Sequence, residues 1–439
     1  MVDRRHFALR AAGALGALAL PVRAALSEEL RGLLTLSSGV ERALDDASGL
    51  TPDALAEDET FWAEIRRSYT LRGDVVNLDH GWTNPTPTSA IDELTRGMRQ
   101  LEGLPAEELP RMWYEITNRT VRSALAQVMG VPGSELALVR NATEALDTVL
   151  LGMPLNAGDE VVCSAHDYYA MLDALEQRRA RDGVVLRMIQ PSVPAPSMNA
   201  IAAMYEAMIG PRTRLVLLTH PSNITGQLLP VERIAAAAHR AGAEVVVDGA
   251  QSLGLFEAPV SELGCDYYGA STHKWLGTPV GMGVLWMRPE HTRKIWPLIP
   301  SSSQTTGMER YEAIGTSATY IEPAALPALA LHRSLGAPRK LARLRYLSER
   351  LRTSLEAALP AATFYTIDPL MAAGLTTIAL PGVDMDTAQK RLRERHSILT
   401  QAMTASRQAP DINGLRVSPN VYTSLAELDQ LVIALRSIV

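Results

Sequence analysis

The stretch GASTHKWLGTPVGMGVLW (residues 269–286) contains one lysine, Lys274, in an otherwise uncharged turn rich in glycine. YYGAS before the turn and MGVLWM after it have the composition of buried strands. A lysine normally lies at the surface with its ammonium group in water. Because two apparently buried strands flank this turn, we expect Lys274 to face a binding or catalytic site instead.

Strand-like and helical segments alternate on the amino-terminal side of this turn. A strand followed by a helix is predicted in SELALVRNATEALDTVLLGM (134–153), and further strands in DEVVCSAHDYY, RLVLLTHPSN and AEVVVDGAQ. Asn141 has the position of a helix N-cap, with Glu144 three residues later. The alternation is typical of an α/β fold whose largely parallel sheet has helices on both faces. Ligands of such sheets bind at the carboxyl ends of the strands.

The pattern divides the chain into four predicted regions. Residues 1–25 are a signal peptide, 26–74 a helical segment, 75–320 a large domain that carries the site, and 321–439 a smaller α+β domain. The first long helix of the small domain is predicted to have leucines along one side, at Leu341, Leu344, Leu347, Leu351 and Leu355. We expect the site to lie between the two domains.

Composition points to a small-molecule site. The 439 residues carry a formal net charge of −6, with no basic cluster beyond the amino terminus, so nucleic acid is not an expected partner. Cys163 and Cys265 are too few for a disulfide framework and lie in apolar, strand-like segments. The nine histidines form no cluster with metal-ligand spacing, so no metal site is predicted.

The amino terminus has the pattern of an export signal. Arg4 and Arg5 precede Phe7, and an uncharged run rich in alanine and leucine follows over residues 11–20. That run is too short to span a bilayer, and the small residues around Ala24 fit a cleavage site. The pair of arginines resembles a twin-arginine signal, which predicts the export machinery as a partner and a periplasmic location. An amphipathic surface helix is the alternative.

The residues near the predicted strand ends suit one cofactor. Asp248 ends the segment EVVVD, and Lys274 follows a later strand; a buried ion pair between them is the simple alternative. A helix amino terminus with hydroxyl and imidazole groups forms a phosphate site. Its candidates here are Asn141 to Thr143, Ser271, His273, His220 and Asn223. A phosphate site, a carboxylate and an imine-forming lysine are what pyridoxal 5'-phosphate (PLP) requires.

Several motifs resemble those of one enzyme family. LLTHPSNITGQLLPV, VVVDGAQSLG and GASTHKWLG are similar to motifs of the fold type I PLP-dependent transferases of the class V aminotransferase family, which includes cysteine desulfurases, kynureninases and isopenicillin N epimerases. The resemblance runs from about Val75 to the end of the chain, and the His-Lys-Trp-Leu form is most similar to the epimerase branch. RYEAIGTSAT (310–319) and GLRVSPNVYTS (414–424) resemble that family's partner-phosphate loop and carboxylate-binding strand.

The resemblance implies a role for each candidate residue. Lys274 would form the imine with PLP, Asp248 would pair with the pyridine nitrogen, and Tyr168 would stack on the ring, although a plain core tyrosine is an equal alternative. Gln251 and Asn223 would lie at the phenolic oxygen. Five groups would hold the phosphate: the Ala142 amide, Thr143, Ser271, His273 and, from the other subunit of a homodimer, Thr316.

The substrate side of the site is predicted from two further segments. Arg416 would bind the α-carboxylate of the substrate as a bidentate fork, with a surface salt bridge as the alternative. NLDHGWTNPTP (77–87) would shape the substrate pocket through His80 and Trp82. An amino acid, free or within a peptide such as a siderophore precursor, is the expected substrate.

One departure from the family pattern reduces the number of reactions that the sequence allows. A cysteine desulfurase needs a nucleophilic cysteine shortly before the carboxylate-binding strand, and RHSILTQAMTASRQAPDINGLR (395–416) contains none. Epimerisation, transamination and β-elimination (C–S lyase chemistry) stay open. An exported binding protein of the same fold is the non-enzymatic alternative. A nicotinamide oxidoreductase is disfavoured, because the glycines of GTPVGMG lead into a strand rather than a helix.

Overall fold

The computed structural model describes residues 36–105, 108, 119–257, 259–300, 307–404 and 412–438. The predicted signal peptide, residues 1–25, lies outside the described residues. The strands in chain order are β1 (Val76–Asn77), β2 (Leu136–Val139), β3 (Glu160–Ser164), β4 (Val185–Ile189), β5 (Thr213–Thr219), β6 (Glu244–Asp248), β7 (Tyr267–Ser271), β8 (Gly283–Met287), β9 (Thr363–Phe364), β10 (Thr376–Ala379), β11 (Ile398–Leu399), β12 (Gln401–Met403) and β13 (Gly414–Val417).

The α-helices connect and cover these strands. In chain order they are α1 (Ser38–Asp46), α2 (Pro52–Ala56), α3 (Glu59–Arg66), α4 (Thr88–Glu102), α5 (Arg122–Met129), α6 (Ala142–Gly152), α7 (Tyr169–Asp182), α8 (Met198–Met208), α9 (Val231–Arg240), α10 (Ala325–Leu335), α11 (Ala337–Ala358), α12 (Met385–His396) and α13 (Leu425–Arg436). Within the described residues, none of these helices is long and apolar enough to cross a membrane.

The large sheet has the order β2-β8-β7-β6-β5-β3-β4. Strands β4, β3, β5, β6 and β7 pair in parallel, whereas β8 is antiparallel to both β7 and β2. The mostly parallel α/β sheet predicted from the sequence is therefore confirmed. The two strands predicted on either side of Lys274 are β7 and β8, so the lysine turn lies at the carboxyl end of β7.

The strands of the large sheet are buried on both faces because apolar side chains occupy successive positions. In β5, Val216 and Leu218 pack on the face covered by α8 and α9, while Leu215 and Leu217 pack on the opposite face with α6 and α7. Successive side chains of a strand point to opposite faces, so a continuous apolar run needs cover on both sides. This packing holds the polar strand ends in fixed positions.

A smaller four-stranded antiparallel sheet follows in the order β12-β13-β10-β9. Helix α11 covers this sheet with Leu347, Leu351 and Leu355, which are fully buried, as the leucine pattern predicts. Strand β1 pairs in parallel with β11, so the chain directly after residue 75 is hydrogen bonded to the carboxyl-terminal part. The domain boundaries at residues 75 and 320 stay predictions.

The helices before β1 pack against both parts of the chain. Trp62 and Ile65 of α3 are buried in one apolar cluster with Trp275, the residue after Lys274, and with Leu344 of α11. Nε1 of Trp62 donates a hydrogen bond to the carbonyl of Leu55 at 2.8 Å. This cluster supports the lysine turn from behind.

Candidate active site

The register of the large sheet brings three strand ends together. Asp248, the last residue of β6, lies opposite Thr219 of β5 and Gly269 of β7. Because these strands are parallel, the loops that follow them leave the same edge of the sheet. Lys274 lies in the loop after β7, and the structure therefore places it on the same edge as Asp248.

Asp248 is a buried carboxylate with few partners. Its side chain is 3% exposed, and Oδ1 accepts a hydrogen bond from the amide of Ala250 at 3.0 Å. Burial raises the pKa of Asp248, while the Ala250 amide and the positive charge of Lys274 lower it. The carboxylate is thus held in a dry position where a protonated ring nitrogen would be a favourable partner.

Lys274 is an amine with an unusually low proton affinity. Burial lowers its pKa to about 8, Arg416 lowers it further, and the carboxylates of Asp248 and Asp79 act in the opposite direction. Lys274 and Asp248 form no direct ion pair in the described part of the chain, although each shifts the pKa of the other. The two groups therefore lie within electrostatic reach of each other without a direct contact.

Hydrogen bonds to the backbone fix the lysine turn. Nδ2 of Asn84 donates to the carbonyl of Lys274 at 2.7 Å, and the Asn84 amide donates to the carbonyl of His273 at 3.1 Å. The buried ammonium group of Lys340 donates to the carbonyl of Trp275. The backbone of the turn is therefore held on both sides of the point from which the Lys274 side chain extends.

Asn223 and Gln251 lie in the loops that follow β5 and β6 at the same edge of the sheet. Nε2 of Gln251 donates to the carbonyl of Gly81 at 2.8 Å, and its Oε1 accepts from Nε1 of Trp275 at 2.9 Å. An amide nitrogen has two N–H groups, so one remains for the phenolic oxygen assigned to Gln251. Oδ1 of Asn223 is buried and lacks a hydrogen bond partner in the structure.

The predicted phosphate-binding residues meet at the start of α6. The amide of Ala142 donates to Oγ of Ser271 at 2.8 Å, and Thr143 follows as the second residue of the helix. Oδ1 of Asn141 caps the helix by accepting from the Glu144 amide at 2.9 Å, as the sequence predicts. Nδ1 of His273 is buried without a partner. The helix amino terminus adds a partial positive charge to this cluster.

Thr316 lies across an open cleft from this cluster. The cleft, of about 870 Å³, is lined by Asn141 and His273 on one side and by the loop that carries Gly315 and Thr316 on the other. Thr316 is exposed. The assignment of Thr316 to the phosphate of a partner subunit stays a prediction.

Tyr168 lies near the charged groups of the site. Burial and Tyr169 raise the pKa of its phenol, Asp248 raises it further and Arg416 lowers it, so both charges lie within electrostatic reach. The preceding residue, Asp167, is buried and accepts hydrogen bonds from the Ser164 amide at 2.7 Å and from Oγ1 of Thr219 at 2.7 Å. Burial and neighbouring Asp248 raise the pKa of Asp167 to about 7 against the effect of these bonds.

Arg416 of β13 reaches the same edge from the small sheet. Its side chain is almost completely buried, with Nη1 donating to the carbonyl of Asn223 at 2.9 Å and Nη2 to Oδ1 of Asp79 at 2.8 Å. Nε of Arg416 is buried and has no partner. The N–H of Nε and the second N–H of each terminal nitrogen are thus left for further acceptors.

His80 and Trp82 lie in different environments. His80 is 2% exposed, packs against the ring of Tyr422 at 5.6 Å between centroids, and lines a separate cavity of about 230 Å³. Burial lowers the pKa of His80 to about 4. Trp82 is 60% exposed. Their assignment as substrate-binding residues stays a prediction.

Three residues of the site were not assigned from the sequence: Asp79, Asn84 and Asp167. Asp167 directly precedes Tyr168 in a polar segment after a strand, and this position was a usable signal. The carbonyl contact of Asn84 depends on the path of a loop 190 residues from Lys274, so no local pattern reports it. The only sequence signal for Asp79 was the position of a carboxylate directly after a short predicted strand.

The unpartnered polar atoms fit PLP. Among the buried side-chain atoms without partners in the described residues, four belong to residues assigned to the cofactor or the substrate: Nδ1 of His273, Oδ1 of Asn223, Nε of Arg416 and Nδ1 of His80. A buried donor or acceptor without a partner costs about 1–3 kcal/mol, so a bound group that supplies partners at these positions is stabilised there. Lys274 and Asp248 lie at one edge of the sheet within electrostatic reach of each other, and their assignment to the aldehyde and the ring nitrogen of PLP stays a prediction.

The fold and the site together define a fold type I PLP enzyme. The family described as aminotransferase class-V matches residues 76–431, and the chain belongs to that family. PLP is the cofactor of this family.

Among curated proteins, the isopenicillin N epimerase of Streptomyces clavuligerus is 32% identical over 398 residues, which cover 85% of this chain and 97% of the epimerase. A second isopenicillin N epimerase, from Amycolatopsis lactamdurans, is 29% identical over 405 residues, which cover 86% of this chain and 99% of that protein. The similarity to both enzymes therefore extends over nearly their whole length.

Among solved structures, a mutant of C-DES with glycine covalently linked to its PLP cofactor superposes with a TM-score of 0.76 at 24% identity, covering 85% of this chain and 99% of C-DES. A related structure describes C-DES as a cystine C–S lyase. At this level of identity the likeness shows the fold alone.

Proposed function

We propose that the protein acts at the α-carbon of an amino acid, free or at the exposed amine of a peptide, as an epimerase-like or aminotransferase-like enzyme. The observation that carries the proposal is the buried Lys274 in the turn after β7, at the sheet edge that also carries Asp248 and within electrostatic reach of Asp248 and Arg416. Bound PLP supplies an electron sink for the charge that develops when the α-proton leaves.

Asp248 maintains that sink by keeping a proton on the ring nitrogen. A carboxylate about 4 Å from a positive charge contributes roughly 4 kcal/mol at an effective dielectric of about 20, which corresponds to about three pK units. The burial of Asp248 excludes water that would weaken this interaction. An asparagine of the same shape lacks the charge, so the carboxylate rather than the side-chain shape supports the reaction.

Lys274 is the group that moves the α-proton. With a pKa lowered to about 8 by burial, its free amine is partly unprotonated near neutral pH, which suits a general base. The anchored backbone of the turn fixes the point from which the Lys274 side chain extends. Tyr168 lies near the same charges and is a candidate to assist on the ring face.

Sulfur transfer is not proposed. The chain has two cysteines, Cys163 in β3 and Cys265 before β7, and both are buried. Burial raises the pKa of the Cys265 thiol to about 12, and Cys163 is shifted in the same direction. Neither thiol is suited to attack a substrate sulfur atom.

β-Elimination of the C–S lyase type is the second candidate. It begins with the same loss of the α-proton and requires no thiol from the protein. The absence of any cysteine between residues 395 and 416 is compatible with it. Tailoring of a secreted peptide is a further possibility within the same substrate class.

Export and dimerisation belong to the proposal. Arg4 and Arg5 support passage through the twin-arginine pathway to the periplasm, with cleavage near Ala24, and that pathway suits a protein that acquires its cofactor in the cytoplasm. The match of residues 310–319 to a partner-phosphate loop supports a homodimer in which Thr316 reaches the cofactor of the other subunit.

Deuterium exchange tests the proposed reaction. In deuterated water, deuterium is expected at the α-carbon of recovered substrate or product. Arg416→Ala removes charge-assisted hydrogen bonds of about 1.5–3 kcal/mol each, so catalytic efficiency with a carboxylate substrate is expected to fall at least about tenfold. Arg233→Ala, which removes an exposed arginine paired with Glu206, is the matched control.

Two results contradict the proposal. Persulfide formed from cysteine above the background rate shows sulfur-transfer chemistry. No α-deuterium with any amino acid or peptide, in protein loaded with cofactor, favours the binding-protein alternative.

A further inference from the structure

Asp79 lies beside the arginine assigned to the substrate carboxylate. Its Oδ1 accepts a hydrogen bond from Nη2 of Arg416 at 2.8 Å. The side chain of Arg416 is 4% exposed and that of Asp79 is 19% exposed, so the pair is largely shielded from water. An ion pair in such a position is far stronger than one at the surface.

The pair occupies part of the arginine fork. Nη1 of Arg416 donates to the carbonyl of Asn223 and Nη2 donates to Asp79, which leaves Nε as the buried nitrogen without a partner. A bidentate carboxylate needs two adjacent N–H groups of the guanidinium. Any adjacent pair of N–H groups includes at least one terminal nitrogen that already donates to Asp79 or to the Asn223 carbonyl, so a bidentate carboxylate comes to lie beside the Asp79 carboxylate, whereas a single neutral oxygen needs only the N–H of Nε.

The charges around Lys274 also favour a neutral substrate group at Arg416. Three charged groups shift its pKa: Asp248, Arg416 and Asp79. Together with Lys274, these groups are two cations and two anions. The positive charge of Arg416 is already balanced by the carboxylate of Asp79, which lies at hydrogen-bonding distance. A substrate carboxylate placed at Arg416 meets the repulsion of Asp79, but a neutral carbonyl does not.

The backbone holds Asp79 in this position. Asp79 forms a bridge with Ser418, the amide of His80 donates to the carbonyl of Ser418 at 3.0 Å, and the amide of Gly81 donates to Oγ of Ser418 at 2.9 Å. A Cβ atom at Gly81 would lie 3.2 Å from Cζ of Arg416. The loop is thus packed tightly onto the arginine, with little room for Asp79 to withdraw.

We propose that Asp79 is a specificity-determining residue that directs the site toward amines whose neighbouring carbonyl group is neutral. Substrates of this class are the amino-terminal residue of a peptide and amino acid amides. Free amino acids bind less well, because their carboxylate competes with Asp79 for Arg416. The inference rests on the function proposed above and selects the peptide-borne substrate within it.

The test is a titration of the PLP-loaded protein with alanine and with alaninamide, followed by the change in visible absorbance of the cofactor. For each variant we take the ratio of the dissociation constants of alanine and alaninamide. The two amines differ in basicity, but this difference is the same for every variant and cancels when the ratios are compared. Asp79→Asn keeps the shape of the side chain and removes its charge. We expect alanine to bind at least about tenfold more tightly to Asp79→Asn, while alaninamide changes less than about threefold.

Two further variants assign the effect to the charge and to the pair. Asp79→Glu retains the carboxylate. Its ratio of dissociation constants is expected to favour alaninamide as in the wild-type protein, and more strongly than in Asp79→Asn. In an Arg416→Ala background, Asp79→Asn is expected to change the ratio less than it does in the wild-type background, since the carboxylate is no longer held beside Asp79.

The possible failures are distinguishable. If both ligands bind and Asp79→Asn leaves the ratio of dissociation constants unchanged, the inference about Asp79 is overturned and the proposed function stands. If the ratio shifts equally in the Arg416→Ala background, the competition for Arg416 is overturned. If neither ligand changes the absorbance in any variant, the proposed function fails and this inference fails with it.

Discussion

Nε1 of Trp275 donates a hydrogen bond to Oε1 of Gln251 at 2.9 Å, which joins the turn after Lys274 to the loop after Asp248. Nε2 of Gln251 continues the connection to the carbonyl of Gly81 at 2.8 Å. Three loops that carry the lysine, the carboxylate and the substrate side of the site are therefore held together by one amide. Gln251 is 1% exposed, so these bonds are shielded from water.

Trp275→Phe is expected to destabilise the protein. The change leaves Oε1 of Gln251 buried without a donor, which costs about 1–3 kcal/mol. A lower urea midpoint for the loss of cofactor absorbance would report it. Trp82→Phe is the control, because Trp82 is 60% exposed and its replacement is expected to change stability by less than about 0.5 kcal/mol. Equal midpoints for the two variants would contradict the role of the Trp275 bond.

Borohydride reduction of the loaded protein is expected to attach the pyridoxyl group to Lys274, as peptide mass mapping would show. Lys340 is the informative competitor. Burial lowers its pKa to about 7, but its ammonium group donates to the carbonyl of Trp275 and lies 3.2 Å from Nδ1 of His332. A label on Lys340, or an unchanged label in Lys274→Ala, would refute the assignment of the imine-forming residue.

Cofactor uptake by the apoprotein is expected to depend on pH through Lys274. The unprotonated amine attacks the aldehyde, so the rate rises with pH and levels off above about 8, where Lys274 has lost its proton. Arg416 lowers the pKa of Lys274, so Arg416→Met is expected to move the midpoint to higher pH. Arg233→Met provides the control. A wild-type midpoint near the ordinary lysine value of 10.5 would contradict the effect of burial.

Thr316→Ala is expected to weaken cofactor retention while the link to Lys274 still forms. The proposed reason is the loss of one hydroxyl donor to the phosphate of the partner subunit, and a faster release of PLP on dialysis would report it. Ser317→Ala, one residue further along the same loop, is the matched control. Sedimentation of a fully loaded protein as a monomer in dilute solution would exclude the shared site.

Export is expected to depend on the arginine pair. Changing Arg4 and Arg5 together to lysine keeps the charge but removes the guanidinium groups, and the protein is expected to stay in the cytoplasm with its signal uncleaved. Fractionation and the mass of the amino-terminal peptide measure both effects. The control is Arg10→Lys, which lies outside the pair. An unchanged periplasmic yield of the double variant would reject the twin-arginine interpretation.

The sheet and the lysine turn were predictable because their signals are local. Strand β6 is a short apolar run that ends in Asp248, and β7 and β8 have the same character on either side of Lys274. A buried strand requires consecutive apolar residues, and these are visible without knowledge of any neighbour. The cap of α6 by Asn141 is equally local.

The contacts between distant segments were not predictable in the same way. The sequence indicates that Arg416 binds a carboxylate, but the pairing with Asp79 joins residues 337 positions apart, and no periodicity reports it. Gln251 illustrates the same limit, because its partners belong to two other loops. Residue type alone also does not predict whether a side chain is buried, since Trp82 is mostly exposed to water while Trp275 is buried.

The pairing of β1 with β11 also sets the order in which the site is completed during translation. Domains fold as they are synthesised, at roughly 5–20 residues per second, so Asp79 leaves the ribosome on the order of 20 to 60 seconds before Arg416. During that interval β1 has no strand to join, because Ile398 and Leu399 have not been made. The cofactor residues from Ala142 to Lys274 are therefore present in the nascent chain before Arg416 can pair with Asp79 and complete the substrate side.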